Sequence, residues 1–331
     1  MIRRSNAFRR QAIAGLSLLV GLALAGEAAQ AQGKVWPKQP VKLIVGFGAG
    51  GGNDLISRVI AQKLSERIGQ PVVVENKPGA GGIIAAELVV RSPPDGHTLL
   101  VAPTGTLVGN PAVRRKLSYD PLKDFQTVVI VADYPLYLTV NGASPIKTVK
   151  DLVAYGKANP KVSNYASTSP VFQVPTELFK AKSGMPAEYI PFKSSNEMIS
   201  AVLTKQVTFA FIDPSALMGH IKAGRLRAIA TSGAKRSADL PNVPTMAEAG
   251  VPGVVVDGMT TLVAPAGTPM PVVKRIEAEV NAVLKMDDVK ARFQQLAVIP
   301  VGGTSEEFSK RLVAELKVWK EVAKNANLYV D

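Results

Sequence analysis

The chain has 331 residues, with 39 Lys and Arg against 26 Asp and Glu, a formal net charge of +13, and no cysteine. The missing cysteines exclude a disulfide scaffold, thiolate metal sites and a cysteine nucleophile. Two histidines, His97 and His220, leave little for zinc or for a histidine base, so the composition argues against most hydrolases.

Residues 1–31 have the layout of a secretory signal. Arg3, Arg4, Arg9 and Arg10 precede an apolar run from Ala12 to Ala25, and Ala29-Gln30-Ala31 supplies a small-residue cleavage site. The run is too short to cross a ~30 Å bilayer as a helix of about 20 residues. No cysteine follows it, which excludes a lipid-anchored product. Export to the periplasm with cleavage after Ala31 is expected. The four arginines and Glu27 would leave with the signal, and the rest of the chain keeps +10. Its basic residues are spread along amphipathic patterns, so no nucleic acid partner is expected and the surface mildly favours anionic ligands.

In chain order, Val41–Val45 reads as a buried strand. Asp54 then caps a helix carrying Ile56, Ile60, Leu64 and Ile68 on one face. Residues 72–74 form the next strand, 78–82 a tight turn, 83–91 a helix and 98–102 a third strand. This βαβαβ rhythm predicts a mostly parallel sheet flanked by helices. A second cycle begins with extended segments at 128–131 and 136–140, followed by a capping box at Thr148-x-x-Asp151. Strands are expected at 162–165, 187–190, 209–212 and 226–230. Thr245-x-x-Glu248 caps a short helix ending at Gly250, and 254–256 and 262–264 are further strands. Three helices close the chain, the last opened by Thr304-x-x-Glu307 and burying Phe308, Leu312, Leu316 and Trp319. Two such cycles predict two lobes with a cleft between them. Lobe 1 is expected from 32–132 with 258–331, and lobe 2 from 133–257. Ligands of open parallel sheets sit at the carboxyl ends of strands, in the loops that lead to helices.

The most informative such loop is Gly46-Phe47-Gly48-Ala49-Gly50-Gly51-Gly52-Asn53-Asp54. Its backbone N–H groups and the following helix N-terminus suit an anion, and glycines let the backbone approach it closely. Gly46-x-Gly48-x-x-Gly51 also matches the dinucleotide fingerprint, with Glu75 in place of its acidic residue. A nicotinamide-dependent oxidoreductase therefore stays open, though an exported protein meets no soluble dinucleotide pool. No Gly-Lys-Ser/Thr follows the loop, which excludes a phosphate-cradling NTPase.

Residues 41–54 and 70–82, with Pro94-Asp95-Gly96-His97-Thr98, Tyr119-Asp120-Pro121-Leu122-Lys123-Asp124-Phe125 and His220-Ile221-Lys222-Ala223-Gly224, share a wider resemblance. It continues through 240–250, Ala264-Pro265-Ala266-Gly267-Thr268-Pro269 and 300–308. Together these resemble the Bug family, the periplasmic solute receptors of tripartite tricarboxylate transporters. The resemblance implies an α/β two-lobed Venus flytrap that closes on a small organic carboxylate without catalysis, cofactor or metal. It also implies delivery to the membrane subunits of such a transporter, with a monomer expected. A sensor feeding a two-component system is the other role open to such a receptor.

In that family two loops act as pincers on one carboxylate. The first corresponds to Phe47, Gly48, Ala49, Gly50, Gly51, Gly52 and Asn53, the second to Ser167, Thr168 and Ser169 before Pro170. The second loop departs from the family, being shorter, with Gln173 where a histidine is common and Pro170, Val171 and Phe172 replacing small or polar residues. Fewer amides and more apolar wall predict a ligand less polar than citrate, an aromatic or alkyl carboxylate. The alternative is that these changes only repack the loop. Ile212-Asp213 stands where the family has an acid and an asparagine. Asp213 either accepts a ligand amine or hydroxyl or, the favoured reading, caps the helix beginning near Ser215. Ser194 and Ser195 donate to the ligand's far end or cap a helix. Thr104, Thr106 and Met259 are the remaining polar-loop and crossover residues expected to face the cleft.

Overall fold

In the computed structural model, residues 36–325 and 327–329 are described. The expected signal segment lies outside them. The larger compact unit begins at Gln39.

Strand β1 (Val41–Val45) runs into helix α1 (Gly52–Ile68). Ile56, Ile60 and Leu64 are buried as the four-residue spacing requires. The N-cap is Gly51, not Asp54, and it makes no side-chain cap bond. The glycine run folds back so tightly that Asp54, in the first helical turn, accepts the Gly50 N–H at 2.8 Å from beneath. Strand β2 (Val72–Asn76), a helical turn Ala80–Gly82, helix α2 (Ile83–Val90) and strand β3 (Thr98–Pro103) follow. The expected polar loop after β3 is instead a wide helical turn, Gly105–Gly109, continuing into α3 (Asn110–Val113). Leu107 and Val108 are fully buried there, and a helical turn is what lets adjacent apolar residues both face the core.

Strand β4 (Phe125–Pro135) contains the expected 128–131 segment and carries the chain to Leu136, where β5 (Tyr137–Asn141) begins a second sheet. Thr148 and Asp151 form the expected reciprocal cap of α4 (Val149–Ala158). The second sheet is completed through β6 (Asn164–Ser167), α5 (Pro170–Ser183), β7 (Glu188–Pro191), α6 (Ser195–Leu203), β8 (Phe209–Ile212), α7 (Pro214–Lys222) and β9 (Leu226–Thr231). Thr245 and Glu248 do bond reciprocally, but they close a turn before Gly250 and not a helix. Residues 254–256 are not a strand; Val254 and Val256 are buried while Val255 is exposed, and Val256 N–H bonds Ser232 O. The return is one long strand, β10 (Asp257–Pro265). Helices α8 (Met270–Leu284) and α9 (Asp287–Gln295), strand β11 (Ile299–Gly302) and helix α10 (Ser305–Asn325) finish the chain. Phe308, Leu312, Leu316 and Trp319 of α10 are all buried.

The first sheet has the order β11-β4-β10-β3-β1-β2 and the second β7-β6-β8-β5-β9. Parallel pairs (β1 with β2 and β3; β6 with β7 and β8) put the loop-bearing strand ends on one side of each sheet. Antiparallel pairs of β10 with β3 and β4, and of β5 with β8 and β9, carry the crossings. Because β4 and β10 lie side by side, with Asp257 opposite Pro135, both crossings leave the first sheet at one place. Arg311 of α10 ties that place down, bonding Asp133 Oδ2 at 2.7 Å.

The second sheet is held by an aromatic stack. The Phe209 ring lies 5.9 Å from Tyr165 and 6.0 Å from Phe179, centroid to centroid. Phe209 is fully buried. Phe209→Ala is expected to cost about 3–5 kcal/mol in equilibrium urea unfolding. A loss below about 1 kcal/mol would show that the stack does not organise this lobe.

Candidate functional site

The loops following β1, β3, β6, β7 and β8 face one another across the space between the sheets. The lobes touch along two seams, α1 against α7 and the wide turn 105–109 against α5.

At the first seam the glycine loop meets the starts of two helices. Asn196 Nδ2 donates to Ala49 O at 3.3 Å. A side chain on Gly48 would begin 2.8 Å from Ser194 Cβ, and any side chain on Gly52 would overlap Asp213 and Ser215. Only a bare backbone lets the second lobe come this close. Beneath the loop, Asp54 accepts from Gly50 N–H, from Arg58 Nε at 2.9 Å and from Asn76 Nδ2 at 3.0 Å. The same Asn76 amide donates to Phe47 O at 3.0 Å. Burial pushes the Asp54 carboxyl up, but the bonds from Arg58, Gly50 and Asn76 outweigh it and hold the group below its usual range. One N–H of the expected anion cradle, that of Gly50, is thereby turned inward.

Asp213 does cap a helix. It accepts from Ala216 N–H at 3.3 Å, from the Ser215 hydroxyl, and from the Ser195 hydroxyl at 2.7 Å. Ser194 caps α6 by accepting from Glu197 N–H at 3.2 Å. Burial, and then the nearby Asp213 carboxylate, push the Tyr134 phenol up. On the floor, Thr104 Oγ1 accepts from Met259 N–H and Thr260 Oγ1 donates to Asn53 Oδ1, both at 2.8 Å. These bonds knit β3, β10 and the start of α1 together.

The second seam is different, because three of its hydroxyls are not satisfied. Ser167 Oγ donates to Ser169 O at 2.9 Å and shapes the turn into α5. Ser169 occupies the N-cap of α5 without making a cap bond. Its Oγ, Thr168 Oγ1 and Thr106 Oγ1 are all buried and have no hydrogen-bond partner. Two of them, Thr106 Oγ1 and Ser169 Oγ, stand against bare backbone. A side chain on Gly82 would begin 2.5 Å from Thr106 Oγ1 and 3.4 Å from the Phe47 ring, and one on Gly105 would begin 2.8 Å from Ser169 Oγ. Gly81 lies in ordinary contact with Asn110, Ser169 and Thr168 O. Asn110 Nδ2 holds Gly81 O at 3.1 Å, and the Tyr119 hydroxyl donates to Thr106 O. Buried hydroxyls nearly always find a partner in a folded protein. Three without one, on the two loops that meet at this seam, form a set of donors for an acceptor.

The Phe47 ring lies beside Gly82 and Thr106 Oγ1, and Phe172, in the first turn of α5, is buried. Gln173, expected among the cleft residues, instead lines a groove of about 170 Å³ with Val113, Glu177 and residues 327–329. A one-residue step along α5 turns its side chain by about 100°, away from the face that carries Phe172. Gly81, Gly82 and Asn110 were not expected. The Gly79-Ala80-Gly81-Gly82 composition carries the same signal as the first glycine loop, but reads from sequence as a turn.

The donors at both seams are backbone N–H groups, side-chain amides and neutral hydroxyls; Arg58, a cation bonded into this network, is engaged by Asp54. Among the described residues no group of three or more His, Asp or Glu side chains is placed to hold a metal ion. No described helix is long and apolar enough to cross a membrane.

Two mixed sheets, each flanked by helices and joined where two strands run side by side, with a polar cleft at their strand ends, define a two-lobed solute-binding protein. The family model described as tripartite tricarboxylate transporter family receptor matches residues 56–328, and the chain belongs to that family. It is 33% identical over 329 residues to the UPF0065 protein in the gbd 5' region of Cupriavidus necator, covering 99% of each chain. It is 32% identical over 306 residues to BugT of Bordetella pertussis, covering 92% of this chain and 94% of BugT. Among solved structures, Rpa4515 of R. palustris with adipate is 34% identical, with a TM-score of 0.85 over 88% of this chain and 98% of that one. MatC from Rhodopseudomonas palustris with bound malate is 29% identical, with a TM-score of 0.84 over 87% of this chain and 99% of that one.

Asp54→Ala removes the group that holds the first loop from beneath. It is expected to lower the unfolding free energy by about 1.5–3 kcal/mol in urea titrations, as loss of a charged hydrogen-bonding partner does. An unchanged midpoint would mean that the loop is held by its glycine geometry alone.

Proposed function

We propose that this chain is a periplasmic receptor that closes on one small organic carboxylate and presents it to the membrane subunits of a tripartite tricarboxylate-type transporter. The observation that carries the reading is the set of unpartnered, buried hydroxyls of Thr106, Thr168 and Ser169, contributed by both lobes. A carboxylate is acceptor-only and takes several donors at once. Rpa4515 and MatC, whose structures hold adipate and malate, support the same ligand class.

Hydrogen bonds from neutral donors to an anion are charge-assisted and roughly twice as strong as neutral ones. They hold the ligand without an ion pair that release would have to break. Closure needs no more than a ligand that touches both lobes when they are shut, because such a ligand favours that state over the open one. Thr106 belongs to the first lobe and Ser169 to the second, so a carboxylate bridging them has that property. With the Phe47 ring beside the hydroxyls and the apolar Pro170-Val171-Phe172 opening α5, the ligand's body is less polar than that of citrate, an alkyl or aromatic acid. Binding, not turnover, is the role of this cleft. Export by the signal at 1–31 and action as a monomer complete the proposal.

Isothermal titration and thermal shift against matched alkyl, aromatic and small polar acids test it. A ligand at 100 times its dissociation constant is expected to raise stability by about 2.7 kcal/mol. Thr106→Ala and Ser169→Ala are each expected to weaken binding roughly tenfold, the worth of a good hydrogen bond to an anion. Neither lowers the melting temperature of the ligand-free protein, since neither hydroxyl is bonded there. Absence of any acid-induced shift, or variants that bind like the parent, would overturn the proposal.

A further inference from the structure

The N-terminus of α1 is the place where an anion is expected, yet the structure fills it from within. The N–H groups of a helix's first turn have no carbonyl partner inside the helix and attract negative charge. At α1 that turn begins with Gly52, and the Asp213 carboxylate of the second lobe lies directly against it, so close that no side chain fits between them. Asp213 is 4% exposed, and its three partners, Ser195, Ser215 and Ala216 N–H, all donate to it. Such a group acts as an acceptor, as an ionised carboxylate does.

We infer that Asp213 is the resident anion of the α1 N-terminus when the lobes are shut, and that it selects acids whose far end carries no second negative charge. The glycine loop has two distinct ends. Its Gly46–Phe47 end packs on Gly82, beside the Thr106 hydroxyl; its Gly52 end packs on Asp213. Free hydroxyl donors stand at the first end, and a built-in carboxylate stands at the second. An acid anchored on the hydroxyls and lying along the loop brings its far end toward Asp213. A hydroxyl, amide or ammonium there finds an acceptor, while a second carboxylate meets a like charge in the closed cleft. The inference rests on the carboxylate-receptor reading and narrows it to acids with a neutral or cationic distal group. It sets this chain apart from Rpa4515, whose structure holds the diacid adipate.

Titration of six-carbon probes tests this directly: hexanoate, 6-hydroxyhexanoate, 6-aminohexanoate and adipate, each against the parent and Asp213→Asn. Asparagine caps helices as well as aspartate does, so the variant keeps the start of α7, and its melting temperature checks that. The parent is expected to bind the best mono-acid at least about tenfold more tightly than adipate, the scale on which like charges discriminate at interfaces. In Asp213→Asn the gap is expected to close because adipate gains affinity. Gly52→Ala, which places a methyl group against Asp213, is expected to weaken all the acids together. Equal affinity of the parent for adipate and the mono-acids, or a gap unaltered in Asp213→Asn, would overturn the inference and leave the carboxylate reading standing. Failure of every acid to bind either protein would remove both.

Discussion

The cleft depends on one close approach: a stretch of backbone bare but for the Ala49 methyl, Gly48 to Gly52, pressed against the starts of two helices of the other lobe. That approach requires the loop to be held in place, and Asp54 does so by taking the Gly50 N–H while it is itself gripped by Arg58 and Asn76. It also requires a complementary surface, which Ser194 and Asp213 provide because each is an N-cap and so sits at the tip of its helix. The bonds that build these elements are therefore the ones that shape the site.

The two seams divide the work. At the first, the polar groups of each lobe are satisfied mainly within that lobe, with Asn196 Nδ2 to Ala49 O crossing between them, so closing there leaves few donors for a ligand. At the second, Thr106 and Ser169 approach across the gap with nothing to bond. A receptor whose lobes met only through satisfied contacts would shut without a ligand. One with an unsatisfied seam gains most from closing when an acceptor fills it, and that difference is what a ligand uses to shift the population.

Much of this was legible in the sequence because it rests on local rules. β1 and β8 follow from short apolar runs, and the caps at Thr148 and Asp213 from residue type beside a periodic helix. What was not legible depends on tertiary partners. Asp54 reads as an N-cap, but the glycines before it let the chain double back, and the carboxylate faces Gly50 from inside the helix. β11 is a four-residue edge strand with Ile299 and Val301 exposed, so it shows no buried alternation and passes for a loop. The Thr104–Thr106 segment looks like a polar loop until Leu107 and Val108 are seen to be buried. Within the site, the first glycine loop and Ser167–Ser169 stood out by composition and family resemblance. The pairing of Thr106 with Ser169 did not, since no rule of sequence spacing brings residues from two lobes together. Gln173 illustrates the converse, a residue singled out by its place in a motif that the helix turns toward a different groove.

The central claim is that a carboxylate bridges the two lobes at the unsatisfied seam. A crystal structure with the tightest-binding acid tests it most directly. The account predicts carboxylate oxygens within hydrogen-bond distance of Thr106 Oγ1 and Ser169 Oγ, with Asp213 still against Gly52. A carboxylate seated on the α1 N-terminus with Asp213 displaced, or both hydroxyls left unbonded, would contradict it.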